Sequence, residues 1–286
     1  MALISSHASS GQIWDMEARY LNSWYNISFS GPTVVCKDAD DVTSMLIEQK
    51  RQERRGISIE GAVIVDDAYY AFVPHFDEQN SLKALDTPMY QGPIQRSLNE
   101  LWMTFYRYYT DGEGFLRTRR HYQVCRLHNA TYTIGLKWAN GTQTTQGHAE
   151  PHDAVGYPHD PRGRESNMVQ HAYSAFFWAL TDHLVGWLGY YQHPDCEKQV
   201  PEDLNCARRF GVMATPISRT ALLGSDDLDV YFDFNENRDE KGFLTEEPSE
   251  QRKQDKTRAH SATLDALIPE FAFNMTASIL FNPLLT

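Results

Sequence analysis

The chain has 286 residues, 41% hydrophobic, 12% aromatic and 22% charged, with 26 Lys and Arg against 38 Asp and Glu for a net charge of −12. These proportions exclude disordered and collagen-like chains, and the length suits one large domain or two modest ones with a real core. The acidic balance argues against nucleic-acid binding, which needs clustered Lys and Arg to displace counterions from phosphate.

Residues 1–12 have neither a basic start nor an apolar core, so they do not read as a signal peptide. A secreted or anchored protein would need its targeting segments outside this chain. Residues 13–30 are rich in aromatics and are expected to pack on the main body. Asp38 to Asp41 then offer caps for a helix carrying Val42, Met45, Leu46 and Ile47 and stopping at Gly56. It has acid at its start and base at its end, as the helix dipole prefers. Its basic end, Lys50 to Arg55, and a second basic run, Arg117 to Arg120, read as solvated faces.

Ile57 to Val65 reads as a strand, and Ala68 to Val73 as a second strand after a turn at Asp66 and Asp67. Leu98 to Tyr109 is too dense in apolar residues for periodicity to choose helix or strand. Ala130, Tyr132, Ile134, Leu136 and Trp138 alternate with polar or small partners, and Asn140-Gly141 supplies a tight hairpin turn. Residues 147–167 read as a polar loop. Apolar residues from Met168 to Leu188 recur at three- and four-residue spacing and predict one long buried helix over 166–191. Asp182 and His183 lie in the middle of that stretch, where a bilayer would penalise them, so it is not read as a membrane span.

Residues 192–211 read as a loop, and 235–258 as a mobile charged loop. Leu264, Leu267, Ile268, Phe271 and Ile279 predict a final helix. The expected fold is α+β in a single domain over 1–286. An antiparallel sheet around 57–74 and 98–145 packs against the long helix.

The four cysteines are Cys36, Cys125, Cys196 and Cys206, which allow two disulfides in three connectivities. No Cys-x-x-Cys spacing suggests a zinc ribbon. Cys196 and Cys206 are close in sequence and easiest to join, which leaves Cys36 with Cys125. Four reduced thiols of a cytosolic protein are the alternative. Glycosylation sequons begin at Asn26, Asn129, Asn140 and Asn274. The composition predicts about one or two by chance. Paired cysteines and sequons together point to a glycosylated domain on the secretory route, extracellular or on the exterior of the cell membrane. The cytoplasm is the alternative location.

Cys125 to Gln143, CRLHNATYTIGLKWANGTQ, resembles part of an extracellular domain found in large fungal families of uncharacterised, membrane-anchored, multi-span proteins. That domain has a cysteine just before an Asn-Ala-Ser/Thr-Tyr strand, followed by an Asn-Gly turn and a glutamine. Leu101-Trp102, the helix near Tyr173 and the late Asn274-Met275-Thr276 are similar to other parts of the pattern, which loosely spans Leu98 to Leu285. The resemblance implies a secretory route, glycosylation and membrane tethering, and supplies no catalytic residues. This chain departs from it by lacking a span at either end, so a tether would lie outside it.

His148, His152 and His159, with Glu150, Asp153 and Asp160, are the candidate metal ligands. Three prolines and no HExxH helix argue for a solvated loop there, so neither metal nor cofactor is expected. The acid pairs Asp66-Asp67, Asp226-Asp227 and Glu246-Glu247 suit general acid/base work but more often mark turns and helix starts. Asp182 and His183 read as helix residues packed on the core. Gly-x-Ser-x-Gly, P-loop and dinucleotide fingerprints are absent from the sequence. The 6 Trp, 15 Tyr and 14 Phe mostly serve a core, with room for a carbohydrate-stacking surface. The expected function is non-catalytic recognition of a protein or carbohydrate partner. The alternative is a soluble hydrolase-like enzyme using carboxylates or the 148–160 histidine loop.

Overall fold

The computed structural model describes residues 20–54, 58–59, 62–77, 79–85, 99–158, 168–192, 210–211, 216–229, 253, 256–257, 259 and 261–280. Its strands are β1 (Ser23–Asp38), β2 (Ser58–Ile59), β3 (Ala62–Phe76), β4 (Leu82–Leu85), β5 (Glu100–Thr110), β6 (Leu116–Ala139), β7 (Thr142–Ala154), β8 (Gly186–Gln192) and β9 (Phe210–Gly211). Its helices are α1 (Asp41–Gln52), α2 (Met168–Thr181) and α3 (Leu264–Leu280), and three 3-10 turns lie at Pro216–Arg219, Ala221–Gly224 and Asp226–Leu228. The strands run β1-β6-β5-β3-β8-β9, with β2 and β4 paired to β3 and β7 to β6. All these pairings are antiparallel. The class is therefore α+β with an antiparallel sheet.

The organising strand is β6. One side pairs with β1 along Ser23 to Asp38, while the other pairs with β5 and then with β7. One face of the sheet carries Tyr69, Ala71, Met103, Phe105, Cys125 and Leu127 into the main core. That core includes Phe177 and Leu180 of α2 and Leu264, Ile268 and Met275 of α3. On the opposite face Tyr70, Phe72, Trp102 and Val124 meet Ile47 of α1. Strand alternation sends neighbouring residues to opposite cores, which explains the apolar density of the Leu98–Tyr109 region.

Inward positions change parity partway along two strands. Val34 and Leu127 serve the main core, whereas Phe29 and Ile27 pack with Tyr132 and Ile134 on α3. Pro32 and Asn129 pair at the crossover, beside a register shift between His128 and Ala130 against β7. A proline lacks the ladder donor, so it belongs on an edge strand or at an irregularity of this kind. Both Tyr132 Oη and Thr276 Oγ1 donate to the Pro32 carbonyl, at 2.5 and 3.0 Å.

The structure corrects several sequence expectations. The helix expected over 166–191 ends at Thr181, with Thr181 Oγ1 donating to the Trp178 carbonyl at 3.0 Å. Gly186 takes φ 135°, which a helix does not accommodate, and Gly186–Gln192 becomes a strand against β3. Apolar residues fit the helical spacing in both halves of the stretch, so spacing alone could not separate them. The helix is also only partly buried, with Met168 and Val169 exposed. Asp66 and Asp67 make no turn: β3 runs through them with register shifts on either side against β8. The 147–167 loop is a strand as far as Ala154.

Nor are the basic runs simply solvated. Arg51 is buried against Glu48, and Arg54 lies 4.8 Å over the Tyr70 ring. Arg120 stacks 4.1 Å over Tyr106 and donates to the Asp67 carbonyl at 2.7 Å. Of the charged 235–258 stretch, residues 253, 256 and 257 are described, the rest lying outside the described residues. Lys256 Nζ meets Asp226 and Asp229 at 2.5 and 2.6 Å.

Candidate functional site

The Asn140-Gly141 turn orders the outer half of the sheet. Its φ values of 53° and 81° are the left-handed pair that a two-residue hairpin requires, and β6 returns as β7 in register Ala139–Thr142. Segment 20–22 closes on the tip: the Asn140 N–H donates to Asn22 Oδ1 at 3.0 Å and the Gly141 N–H to the Leu21 carbonyl at 2.9 Å. The register then fixes which residues share each face. Tyr25, Ile27 and Phe29 share the face of the buried Trp138 and Tyr132, Tyr25 stacking on Trp138 at 5.2 Å while 41% exposed and Phe29 on Tyr132 at 4.9 Å. The alternating set therefore points outward: Trp24, Asn26 and Ser28 on β1, Lys137, Gly135 and Thr133 on β6, and Thr144, Gln146 and His148 on β7.

Asn26, Gly135 and Gln146 form one row across this outer face. A Cβ added to Gly135 would stand 3.1 Å from Asn26 Oδ1, so the asparagine amide lies over bare backbone. Gly135 lies in the lining of a cleft of about 820 Å³ bordered by Asn22, Trp24, Asn26, Lys137, Thr144 and Gln146. Trp24 is 76% exposed. Of the aromatic segment 13–30, expected to pack on the main body, Ile27 and Phe29 do so and Trp24 does not, while residues 13–19 lie outside the described residues. A tryptophan two residues before a sequon asparagine, on the same strand face, was the overlooked signal.

The four sequons occupy different settings. Asn26 and Asn140 are exposed, on the cleft row and at the hairpin tip. Asn129 is half-buried and accepts from Tyr173 Oη at 3.0 Å, while Asn274 is half-buried on α3. Cys36 and Cys125 are direct cross-strand partners joined in a disulfide. Cys196 and Cys206 lie outside the described residues.

The metal and acid candidates are dispersed. His148 faces Thr133 on the outer face, and His152 Nε2 lies 2.8 Å from Thr131 Oγ1. His159 and Asp160 lie outside the described residues, and no group of three or more metal-type side chains occurs among the described ones. Glu246 and Glu247 also lie outside. Asp226 pairs with Lys256, and Asp227 is tied to Arg107. Burial lowers the pKa of half-buried His183, with Asp182 opposing the shift.

One ionic cluster was not foreseen. Arg107 joins Asp227 and Asp265 at 2.5 and 2.6 Å. His121 nearby titrates below its usual range because burial and the Arg107 charge both disfavour its cation. The Asp265 carboxyl is held down by Arg107 against the opposing effect of burial. This cluster fastens β5 to the start of α3.

Comparison with protein-family models, with curated proteins and with solved structures finds no match to this chain.

Proposed function

We propose that the chain is a non-catalytic, glycosylated extracytoplasmic domain of a fungal membrane-associated protein, serving recognition of a protein or carbohydrate partner. The carrying observation is the Cys36–Cys125 disulfide, which cross-links paired strands 89 residues apart in sequence. Such bonds persist in oxidising compartments and are rare in the cytosol, where thiol reductants keep cysteines reduced. The exposed sequons at Asn26 and Asn140 support the same route, since an N-linked glycan needs surface room. The CRLHNATY and NGTQ motifs supply the fungal, membrane-tethered part of the reading. No helix among the described residues is long and apolar enough to cross a membrane.

Secretory expression in a eukaryotic host tests the proposal. The expected product loses apparent mass on N-glycosidase digestion and shows no free thiol at Cys36 or Cys125 under denaturing conditions. A chain without sugar and with both thiols free overturns it. An acidic or histidine-dependent hydrolysis rate, abolished by single substitutions, would favour the hydrolase-like alternative.

A further inference from the structure

We propose that an N-linked glycan on Asn26 folds back onto the Trp24 indole, making the cleft on the outer sheet face the seat of the chain's own first sugars. The inference rests on the secretory-route reading and deepens it by assigning the glycan a fixed place on the protein.

The geometry begins with strand periodicity. Residues two apart on a strand share a face, so Trp24 stands beside Asn26 and on the same side of the sheet. The stacking of Tyr25 on the buried Trp138 fixes that orientation. Trp102, Trp138 and Trp178 are at most 7% exposed, whereas Trp24 is 76% exposed. An indole left in water at the edge of a cleft forgoes the burial that a large apolar side chain ordinarily gains on folding. A covering sugar recovers part of that burial. The C–H groups on one face of a pyranose carry partial positive charge and suit the negative π-face of an indole.

Asn26 stands on the border of the cleft with its amide turned over Gly135, the middle residue of the row. Gly135 beneath it leaves the backbone bare, and a side chain there would crowd the amide from 3.1 Å. The volume of about 820 Å³ lies within the range of sites that hold small molecules. Asn22, Lys137, Thr144 and Gln146 on its border offer donors and acceptors for sugar hydroxyl and N-acetyl groups. A glycan attached at Asn26 therefore starts at the border of the cleft, on the same strand face as the exposed Trp24 indole. Asn140, exposed at the hairpin tip, provides the internal comparison.

The test uses the full chain secreted from a eukaryotic host, with glycopeptide mass spectrometry at each sequon and NMR of isotope-labelled sugar. The first sugars on Asn26 are expected to show upfield ring-current shifts that disappear in Trp24→Ala, while signals from Asn140 stay unchanged. Native N-glycosidase should release the Asn26 glycan several-fold more slowly than the Asn140 glycan, and Trp24→Ala should remove the difference. In a second variant, Asn26→Gln, the Trp24 indole N–H signal should move to the position of a solvent-exposed indole. If none of the four sequons carries sugar, the underlying secretory-route reading fails as well. If Asn140 is occupied and Asn26 is bare, or Asn26 is occupied without ring-current shifts, this proposal alone fails. If added chitobiose shifts the Trp24 indole in Asn26→Gln with saturable affinity while the attached glycan shows no contact, the cleft serves a foreign sugar and the proposal is overturned.

Discussion

Arg107 on β5 and Asp227 in the third 3-10 turn meet across 120 residues of chain through two N–H···O bonds of 2.5 and 2.9 Å. The Asp227 side chain is 0% exposed, and its second oxygen also accepts the Leu264 N–H at 2.7 Å, where α3 begins. One carboxylate thus joins a strand, a 3-10 turn and a helix start. Arg107→Met leaves that anion buried without its cation and is expected to cost about 3–5 kcal/mol in urea unfolding. Adding Asp227→Asn removes the stranded charge. The double variant should therefore lose at least about 1 kcal/mol less than the sum of the single losses. Strict additivity would show that the two groups are energetically independent.

The Cys36–Cys125 bond closes a segment whose ends are 89 residues apart. The loop-entropy model gives such a cross-link about 4–5 kcal/mol, and measured values commonly fall at about 2–4. Cys36→Ala with Cys125→Ala should lower unfolding free energy within that span while leaving the β1–β6 register intact. A loss below about 0.5 kcal/mol would mean that the unfolded chain gains little freedom from the missing bond.

Local chemistry explains what the sequence disclosed. Asp40 accepts the Thr43 N–H at 2.8 Å as the cap of α1, and Asn140-Gly141 takes the turn that its backbone freedom allows. Both signals lie within four residues of chain, so no tertiary knowledge was needed. The 168–192 segment failed for the opposite reason. Trp178 and Leu188 enter one core from a helix and a strand, and only the partner β3 decides where one gives way to the other. Asp66-Asp67 misled in the same way, because a strand bulge and a turn both accept adjacent acids. The candidate site was half legible. Asn26 and Asn140 are visible as sequons, but the Gly135 gap under Asn26 depends on a pairing over 100 residues long-range, which no local pattern encodes.

Glu48 links α1 to the sheet and sets an acid-sensitive step. Its carboxylate accepts from Arg51 at 2.6 and 2.8 Å, Gln52 at 2.7 Å and Tyr122 at 3.0 Å. Burial raises its pKa, but those donors outweigh burial and bring it down from 4.5 to about 2. A depressed folded pKa contributes stability above the unfolded value that is lost as pH falls through the folded one. Glu48→Gln should therefore destabilise at pH 7 by about 1–2 kcal/mol, a figure discounted for the solvent reaching the carboxylate. The gap between variant and native chain should shrink between pH 4.5 and about 2. A gap that is constant over this window, measured by urea unfolding, would refute a role for the ionised form. Tyr122 should ionise late, pushed up to about 12 by burial and by the adjacent Glu48 charge.

At Gly31 of β1, Thr276 of α3 packs close to the strand backbone. A Cβ there would lie 3.0 Å from Thr276 Cγ2 and 3.2 Å from Tyr132 Cε2. Neither neighbour is free to retreat, since Thr276 Oγ1 and Tyr132 Oη both donate to the Pro32 carbonyl. Gly31→Ala should thus overpack the contact and cost about 1–3 kcal/mol, read as a lower unfolding temperature. Thr276→Ser deletes the methyl that clashes and keeps the hydroxyl that donates. The pair Gly31→Ala/Thr276→Ser should recover a measurable part of the loss, whereas Thr276→Val, which keeps the methyl and removes the donor, should not. If both pairs behave alike, the close approach is not what limits residue 31. Its glycine would then be explained by strand pairing with Ala130 rather than by the helix.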